Sequence, residues 1–382
     1  MKLDRLLFKD LGANLKHGFQ LIRILNFDRN CNVGPIRAEI SPTSACSFQC
    51  CFCDTHSYLK PCSVKITTMS DDVLHNLISD LKKLHVKELL FSGNGEPLLC
   101  RTLIKEIKQF GRYFKIEILS NGSTLNLIDK ELFHNLAYLT ISLNSGNGAS
   151  HKVTHGYKGQ NRFSEIITQI ERILEFDHAS DKIKLNYVIT TDNYSELDAF
   201  FEKAIKWNVS FMARPVDIGF PGLKSKELNE KMLRDLGKKT QEYLRTRKLT
   251  HKLALSFQLV ERACNLALDE LSNQKSNRPS HLYPCYLSFI QPYIDSNGDV
   301  LLCSSGSEKP LGNINRQNFL SIWKNKESLA MRLLCTQMDK TKKPVLPACI
   351  GCANVLYHST AFHGIYSKIP LLPKRLAARV KV

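Results

Sequence analysis

The sequence has little acidic charge, little tryptophan and no long apolar runs. Its 382 residues include 36 Asp and Glu against 53 Lys and Arg, giving a formal net charge of +17, and two Trp. No apolar stretch approaches the roughly 18 residues that a membrane-spanning helix requires, and the N-terminus lacks a signal-peptide core. A cytoplasmic location is therefore expected. The basic charge is compatible with nucleic acid, an anionic membrane surface, an acidic substrate or simply a basic enzyme.

Cysteine, by contrast, is plentiful. The chain has 13 cysteines, which in a reducing compartment are more often metal ligands or free thiols than disulfides. Cys46, Cys50 and Cys53 follow a C-x3-C-x2-C spacing, and such thiolates suit zinc or an iron–sulfur cluster. Three sulfurs can hold three corners of a [4Fe–4S] cluster and leave one iron open for a small molecule. A zinc site with a distant fourth ligand is the alternative.

From residue 36 onward, short β-rich segments alternate with amphipathic helical segments. The predicted strands are 36–41, 87–93, 115–121, 139–144, 183–190 and 209–215. The predicted helices between them are 70–84, 101–111, 127–136, 162–176 and 194–207. This alternation is typical of α/β proteins with a parallel sheet. Six units predict a partial (β/α)6 TIM-type barrel, with its chemistry at the C-terminal ends of the strands.

The cysteine loop after the first strand resembles the motif of the radical S-adenosylmethionine (radical SAM) enzymes, over residues 37 to about 215. The resemblance implies a [4Fe–4S] cluster held by Cys46, Cys50 and Cys53, S-adenosylmethionine bound to its open iron, and reductive cleavage to a 5′-deoxyadenosyl radical. Phe52 fills the family's aromatic position near the adenine. Cys51 does not match the spacing, and neighbouring side chains on an extended loop point apart, so we expect it to pack rather than ligate.

The segment SGNGEP, residues 92–97, ends the second predicted strand and resembles the family's GGEP segment, which binds the methionine amino group. Gly93 and Gly95 permit a close backbone approach to a ligand. Glu96 is the expected partner of the ammonium group, through a charge-assisted contact.

Polar residues at later strand ends add candidate contacts. Ser142 and Asn144 match by position the family residues that bind the ribose and carboxylate, with turn formation as the alternative. Arg214, at the end of the sixth strand, is a candidate substrate contact. The sequence identifies no general base.

Four cysteines in two pairs form a second candidate site near the C-terminus: Cys285, Cys303, Cys349 and Cys352. Alone, they would fit a structural zinc ribbon. They resemble the shortened SPASM domain called Twitch, which holds one auxiliary [4Fe–4S] cluster, with a spacing similar to that of the butirosin cyclitol (2-deoxy-scyllo-inosamine) dehydrogenase. Cys335 lies between the pairs, and its role stays open. A hairpin is predicted around Asn297-Gly298 and a helix over 318–334.

The predicted organisation has five parts: an N-terminal amphipathic helical extension (1–35), a radical SAM core barrel (36–222), a helical connector (223–280), an auxiliary cluster domain (281–355) and a basic tail (356–382). The basic termini are candidates for contact with a membrane surface or another anionic partner.

The resemblance implies an oxidoreductase that takes a hydrogen atom from a small-molecule substrate and passes an electron to the auxiliary cluster. A sugar, cyclitol or other small metabolite is the expected substrate, and flavodoxin or ferredoxin the expected type of electron donor. The alternative is a SPASM-type maturase that modifies a peptide or protein. RNA modification is disfavoured because the chain has only two Trp and its basic residues are spread along the sequence. A non-enzymatic metal or electron-transfer protein is disfavoured by the SGNGEP segment.

Overall fold

The computed structural model describes residues 34–53, 55–56, 65–160, 162–216, 223–275, 285–304, 309–341, 343–349 and 352. The predicted N-terminal extension, apart from its last two residues, and the predicted basic tail lie outside these residues. None of the described helices is long and apolar enough to cross a membrane.

The predicted partial barrel is confirmed. Six parallel strands lie side by side in chain order. They are β1 (Arg37–Ile40), β2 (Glu88–Phe91), β3 (Lys115–Ser120), β4 (Leu136–Ser142), β5 (Ile183–Ile189) and β6 (Ser210–Pro215). The helices of this part are α1 (Asp71–Lys83), α2 (Arg101–Phe110), α3 (Lys130–Asn135), α4 (Gly148–His155), α5 (Phe163–Leu174), α6 (Ala179–Lys182) and α7 (Leu197–Trp207), with 3-10 turns at Pro97–Leu99, Leu125–Leu127 and Tyr194–Glu196.

The two faces of the sheet differ in polarity. Along β5, every second side chain is fully buried and apolar, while the side chains between them are half-buried. The buried set packs under the helices. On the other face, Glu117 of β3 is bonded by Arg37 of β1 (2.7 Å) and lies 3.6 Å from Lys184 of β5. Each of these contacts skips a strand, so this face is concave, and its polar lining differs from the apolar interior expected of a parallel sheet that serves only as core.

Helix α4 was not predicted from the sequence. It begins after Asn147, whose side chain accepts hydrogen bonds from the backbone N–H groups of Ala149 and Ser150, and it ends at Gly156 with a φ of 60°. The residues on its buried face are polar: Ser150, His151, Thr154 and His155. Because apolar periodicity is the main signal for a buried helix, a helix with a polar buried face leaves little trace in a sequence.

The predicted connector folds onto the barrel. Its described residues, 223–275, form a 3-10 turn (Lys224–Lys226), α8 (Glu230–Thr246) and α9 (His251–Lys275), so the helical connector predicted over 223–280 is interrupted. Phe257 of α9 packs edge-on against Phe201 and Phe211, and Ser256 Oγ accepts a hydrogen bond from Phe211 N. These helices therefore cover the β6 edge of the sheet.

The C-terminal part continues the barrel sheet. The hairpin predicted at Asn297-Gly298 is confirmed, with Gly298 at a φ of 88°. Strand β7 (Tyr293–Ile294) pairs in parallel with β1, and the order of the described sheet is β6-β5-β4-β3-β2-β1-β7-β8-β9. The remaining elements are α10 (Leu287–Ile290), β8 (Asp299–Leu301), β9 (Gly312–Asn313), α11 (Phe319–Lys324), α12 (Lys326–Cys335), α13 (Met338–Thr341) and a 3-10 turn (Pro347–Cys349).

The single helix predicted over 318–334 is wrong. Residue Asn325 has an extended backbone (ψ 139°) and divides the segment into α11 and α12. Its side chain accepts a hydrogen bond from Glu327 N, which caps α12.

Candidate functional site

The loop that follows β1 carries the three spaced cysteines, and each sulfur has a nitrogen atom beside it. The pairs are Asn121 Nδ2 with Cys46 Sγ (3.4 Å), His155 Nδ1 with Cys50 Sγ (3.2 Å) and His56 N with Cys53 Sγ (3.2 Å). Hydrogen bonds from nitrogen atoms to the ligating sulfurs are typical of iron–sulfur sites.

Hydrogen bonds hold this loop on two sides. Helix α4 contributes two carbonyls: His155 O accepts from Gln49 N (2.9 Å) and Thr154 O from Cys51 N (3.0 Å). On the other side, Thr43 Oγ1 lies 2.7 Å from Thr68 Oγ1. The loop is therefore positioned before any ligand binds.

The donor set fits an iron–sulfur cluster. Cys46, Cys50 and Cys53 are all partly exposed. Burial, and the nearby thiols of Cys53 and Cys46, raise the pKa of Cys50 well above its usual range, so metal binding would have to displace its proton. Among the described residues, no group of three or more His, Cys, Asp or Glu is arranged to hold a single metal ion. Thiolates that bind different irons of one cluster need not converge on one point.

Cys51 is set apart from the other three. It is completely buried, and burial raises its pKa to about 11, with the charges of Asp192 and Lys226 nearby. Its position agrees with the predicted packing role.

The two glycines of SGNGEP pack closely against other residues of this chain. A Cβ on Gly95 would lie 2.4 Å from Ala45 O and 2.5 Å from Thr43 O. Gly93 has a φ of 105°, and a Cβ there would lie 2.4 Å from Ser41 Cβ. These glycines let the end of β2 pack directly on the cysteine loop.

The Glu96 carboxylate, predicted as the partner of the ammonium group, meets three hydrogen-bond donors of this chain, and its contact with a cofactor stays a prediction. It is 1% exposed. Oε1 accepts hydrogen bonds from Ser120 Oγ (2.8 Å) and Thr124 Oγ1 (2.9 Å), and Oε2 accepts one from Asn121 N (2.7 Å). Burial nevertheless raises the pKa of Glu96, against these hydrogen bonds, which lower it. The side chain joins the ends of β2 and β3.

Asn144, predicted as a cofactor contact with turn formation as the alternative, also makes its hydrogen bonds within this chain, and the cofactor contact stays a prediction. It is 1% exposed and has a φ of 50°. Its Oδ1 accepts a hydrogen bond from Val188 N, and its carbonyl accepts one from Asn193 Nδ2. The residue joins the ends of β4 and β5, which corresponds to the turn-forming alternative.

Three further candidates stay accessible. Phe52 is half-buried in the cysteine loop. Ser142 and Arg214 are half-buried on the concave face of the sheet, Ser142 opposite Asn186 and Arg214 opposite Val188. Their predicted contacts with cofactor or substrate stay predictions.

Five cysteines, one more than predicted, gather in the C-terminal part. Cys285, Cys303, Cys349 and Cys352 are partly exposed. Burial first, and then the nearby thiols of Cys352 and Cys349, raise the pKa of Cys285 to about 11. Cys335 is 4% exposed, and its carbonyl accepts a hydrogen bond from Cys285 N (2.9 Å). The structure thus brings Cys335 to the predicted auxiliary site.

The structure also brings two residues to the site that sequence reasoning missed. His155 reaches Cys50 from α4, and Glu39 of β1 accepts hydrogen bonds from Ser92 Oγ (2.5 Å) and Gln291 Nε2 (2.7 Å). A carboxylate at an inward position of β1, next to buried Ala38 and Ile40, is the only sequence signal for Glu39.

The burial of the His151 ring predicts that the folding stability falls at acidic pH. Burial lowers its pKa to about 2, whereas an unfolded chain would bind the proton near 6.5. The unfolded state therefore gains the proton first as the pH falls, and stability is lost below 6.5. Urea unfolding at pH 6.5 and 5.5 should show about 1 kcal/mol more loss in the wild type than in His151→Phe. Equal losses in both would contradict this assignment.

Comparisons with known proteins match the two parts of the chain in which these cysteines lie. The model of the radical SAM superfamily matches residues 40–204, and that of the SPASM iron-sulfur cluster-binding domain matches residues 285–353. No curated protein sequence matches the chain.

Two solved structures, those of SuiB and anSMEcpe, show the same fold. SuiB of Streptococcus suis bound to precursor peptide SuiA is 18% identical, with a TM-score of 0.55 over 85% of this chain and 71% of that one. Native anSMEcpe with bound AdoMet is 15% identical, with a TM-score of 0.55 over 90% and 100%. BtrN in complex with AdoMet and 2-DOIA is 16% identical, with a TM-score of 0.42 over 81% and 90%.

Proposed function

We propose that this chain, which contains a radical SAM domain and a C-terminal SPASM domain, is a radical SAM enzyme that oxidises a hydroxyl-bearing carbon of a sugar, cyclitol or similar small metabolite. These domains bind S-adenosylmethionine and [4Fe–4S] clusters, which when bound supply a hydrogen-abstracting radical and an acceptor for one electron. We further propose Cys46, Cys50 and Cys53 as ligands of the first cluster, and Cys285, Cys303, Cys349 and Cys352 as ligands of the auxiliary one.

The direction of the strands supports a substrate position inside the barrel. The first cysteine loop begins where β1 ends. At that end, Ser41 N donates a hydrogen bond to Ile294 O of β7, which runs parallel to β1. Strand β8 runs the opposite way, so Cys303, just after it, lies towards the end where β1 begins. A substrate on the concave face would thus have one thiol site at each end.

The orientation of the Glu39 side chain is the observation on which the proposal rests. This side chain points to the concave face, since Ala38 and Ile40 on either side are fully buried on the other face. It is half-buried, and its carboxylate is oriented by Ser92, directly before the SGNGEP glycines, and by Gln291 of the auxiliary part. Both partners are neutral donors, which orient the carboxylate oxygens through hydrogen bonds.

Glu39 would complete a balanced two-electron oxidation of the alcohol. The substrate carbon loses a hydrogen atom to the radical, the hydroxyl loses its proton to Glu39, and the remaining electron passes to the auxiliary cluster as the carbonyl forms. General-base assistance of this kind contributes typically about 10²–10⁴-fold. We propose an external donor of the flavodoxin or ferredoxin type for the electron that starts each cycle.

The test uses cyclitols and sugars deuterated at the carbinol carbon. Incubation with S-adenosylmethionine and dithionite should place deuterium in 5′-deoxyadenosine and yield a ketone. Glu39→Gln should still form 5′-deoxyadenosine, because the observed partners of the carboxylate are Ser92 and Gln291 rather than a cysteine. Ketone formation should fall at least about 100-fold. Ketone formation at the wild-type rate in Glu39→Gln would exclude this role.

Peptide modification is the second candidate. It is favoured by the likeness in fold to SuiB, whose structure contains a bound precursor peptide. No deuterium transfer from any cyclitol or sugar, together with label transfer from a deuterated peptide, would replace the first proposal by this one.

A further inference from the structure

His155 is fixed against the cysteine loop by its whole surroundings. The ring is completely buried. It stacks on His151 with a centroid distance of 4.2 Å and an interplanar angle of 26°, and Phe48 packs on it edge-on at 5.0 Å. Its own carbonyl accepts a hydrogen bond from Gln49 N of the loop. The ring therefore has little freedom to turn away from Cys50.

The two ring nitrogens have different neighbours. Nδ1 lies 3.2 Å from Cys50 Sγ. Nε2 lies 3.3 Å from Leu143 O, longer than the usual N–H···O distance of about 2.9–3.0 Å. The sulfur contact is short for a hydrogen bond to sulfur, so the single hydrogen of the neutral ring is assigned to Nδ1, and the longer contact of Nε2 with Leu143 O is then not a hydrogen bond.

We propose that His155 is a positioning residue that donates its Nδ1–H to the sulfur of Cys50 and raises the reduction potential of the cluster bound there. The proposal rests on the assignment of Cys50 as a cluster ligand. A sulfur bound to iron carries no hydrogen, so the hydrogen of this contact comes from the ring, and nitrogen donates while sulfur accepts.

The direction of the effect follows from charge. Reduction adds an electron to the cluster, and part of its charge resides on the ligating sulfurs. An N–H dipole aimed at one sulfur in a buried, low-dielectric environment stabilises the reduced form more than the oxidised form. Without that dipole, the same donor would reduce a smaller fraction of the clusters.

Three variants of the reconstituted holoenzyme test this without any substrate. His155→Phe keeps an aromatic ring but removes the donor. His155→Asn places an amide nitrogen near the position of Nδ1. His151→Phe is the matched control, because that ring is equally buried on the same helix and touches His155 but has no contact with a cysteine sulfur among those observed.

The measurement is a reductive titration followed by electron paramagnetic resonance, with the cluster identified by the change of its signal on adding S-adenosylmethionine. At a fixed potential, His155→Phe should show at least a tenfold lower ratio of reduced to oxidised cluster, a shift of about 59 mV for one electron. His151→Phe should match the wild type, and His155→Asn should recover most of the shift.

Two results would overturn the proposal: an unchanged midpoint in His155→Phe at full iron content, or an equal shift in His151→Phe. If His155→Phe does not fold, His155→Leu is compared with His155→Asn, and equal midpoints in these two would overturn it as well. Since no substrate is added, the outcome is independent of whether the enzyme oxidises an alcohol or modifies a peptide.

Discussion

Cys50→Ala should abolish cleavage of S-adenosylmethionine, whereas Cys51→Ala, one residue away, should retain it. Cys50 is partly exposed in the cysteine loop with Nδ1 of His155 at 3.2 Å from its sulfur, while Cys51 is fully buried. Loss of an outer-shell partner of a metal site costs about 10–100-fold, so loss of a ligand should lower 5′-deoxyadenosine formation more than 100-fold.

Iron content and activity together measure this difference. Cys50→Ala should fall from about eight irons per chain, the content of two [4Fe–4S] clusters, to about four. Cys51→Ala should keep about eight irons and lose about 1 kcal/mol of unfolding free energy, as an ordinary core truncation does. An inactive, iron-depleted Cys51→Ala beside an active Cys50→Ala would reverse the ligand assignment.

The barrel could be predicted because its signals are local. Each strand of the barrel carries a short β-rich run and each long helix an apolar stripe, so existence and order follow from the sequence. The positions at which one helix ends and the next begins are harder to predict. Asn325 interrupts a helix through its own cap, and residues 247–250 separate α8 from α9. In both places the apolar pattern continues on either side, so the periodicity of apolar residues does not mark the interruption.

The site was predictable only in part, for the same reason. Three cysteines at a fixed spacing are a local sequence motif that indicates a metal or iron–sulfur site. Whether a polar side chain at a strand end faces a ligand or another strand depends on partners far along the chain. Glu96 meets Ser120 and Thr124, and Asn144 meets Asn193. Such pairings arise only when parallel strand ends are brought to one edge of the sheet.

Gly95→Ala should dislodge the cysteine loop. The added Cβ would lie 2.4 Å from Ala45 O and 2.5 Å from Thr43 O, and these are backbone atoms that cannot rotate away. Ala45 O also accepts the hydrogen bond from Glu96 N at 2.8 Å, so relief of the clash would break that bond. Overpacking of this kind costs about 1–3 kcal/mol, and the displaced loop should bind its cluster poorly.

Gly237→Ala provides the matched control for this substitution. Gly237 lies within α8, and a Cβ there would have no atom within 4 Å. Because alanine is favoured over glycine in a helix by about 1 kcal/mol, this variant should unfold at a higher urea concentration than the wild type and keep its iron. Gly95→Ala should unfold at a lower urea concentration and lose about half its iron, since the proposed auxiliary cysteines lie in the C-terminal part of the chain. If Gly95→Ala kept full iron and wild-type stability, the contact between the end of β2 and the cysteine loop would not be what positions Cys46, Cys50 and Cys53.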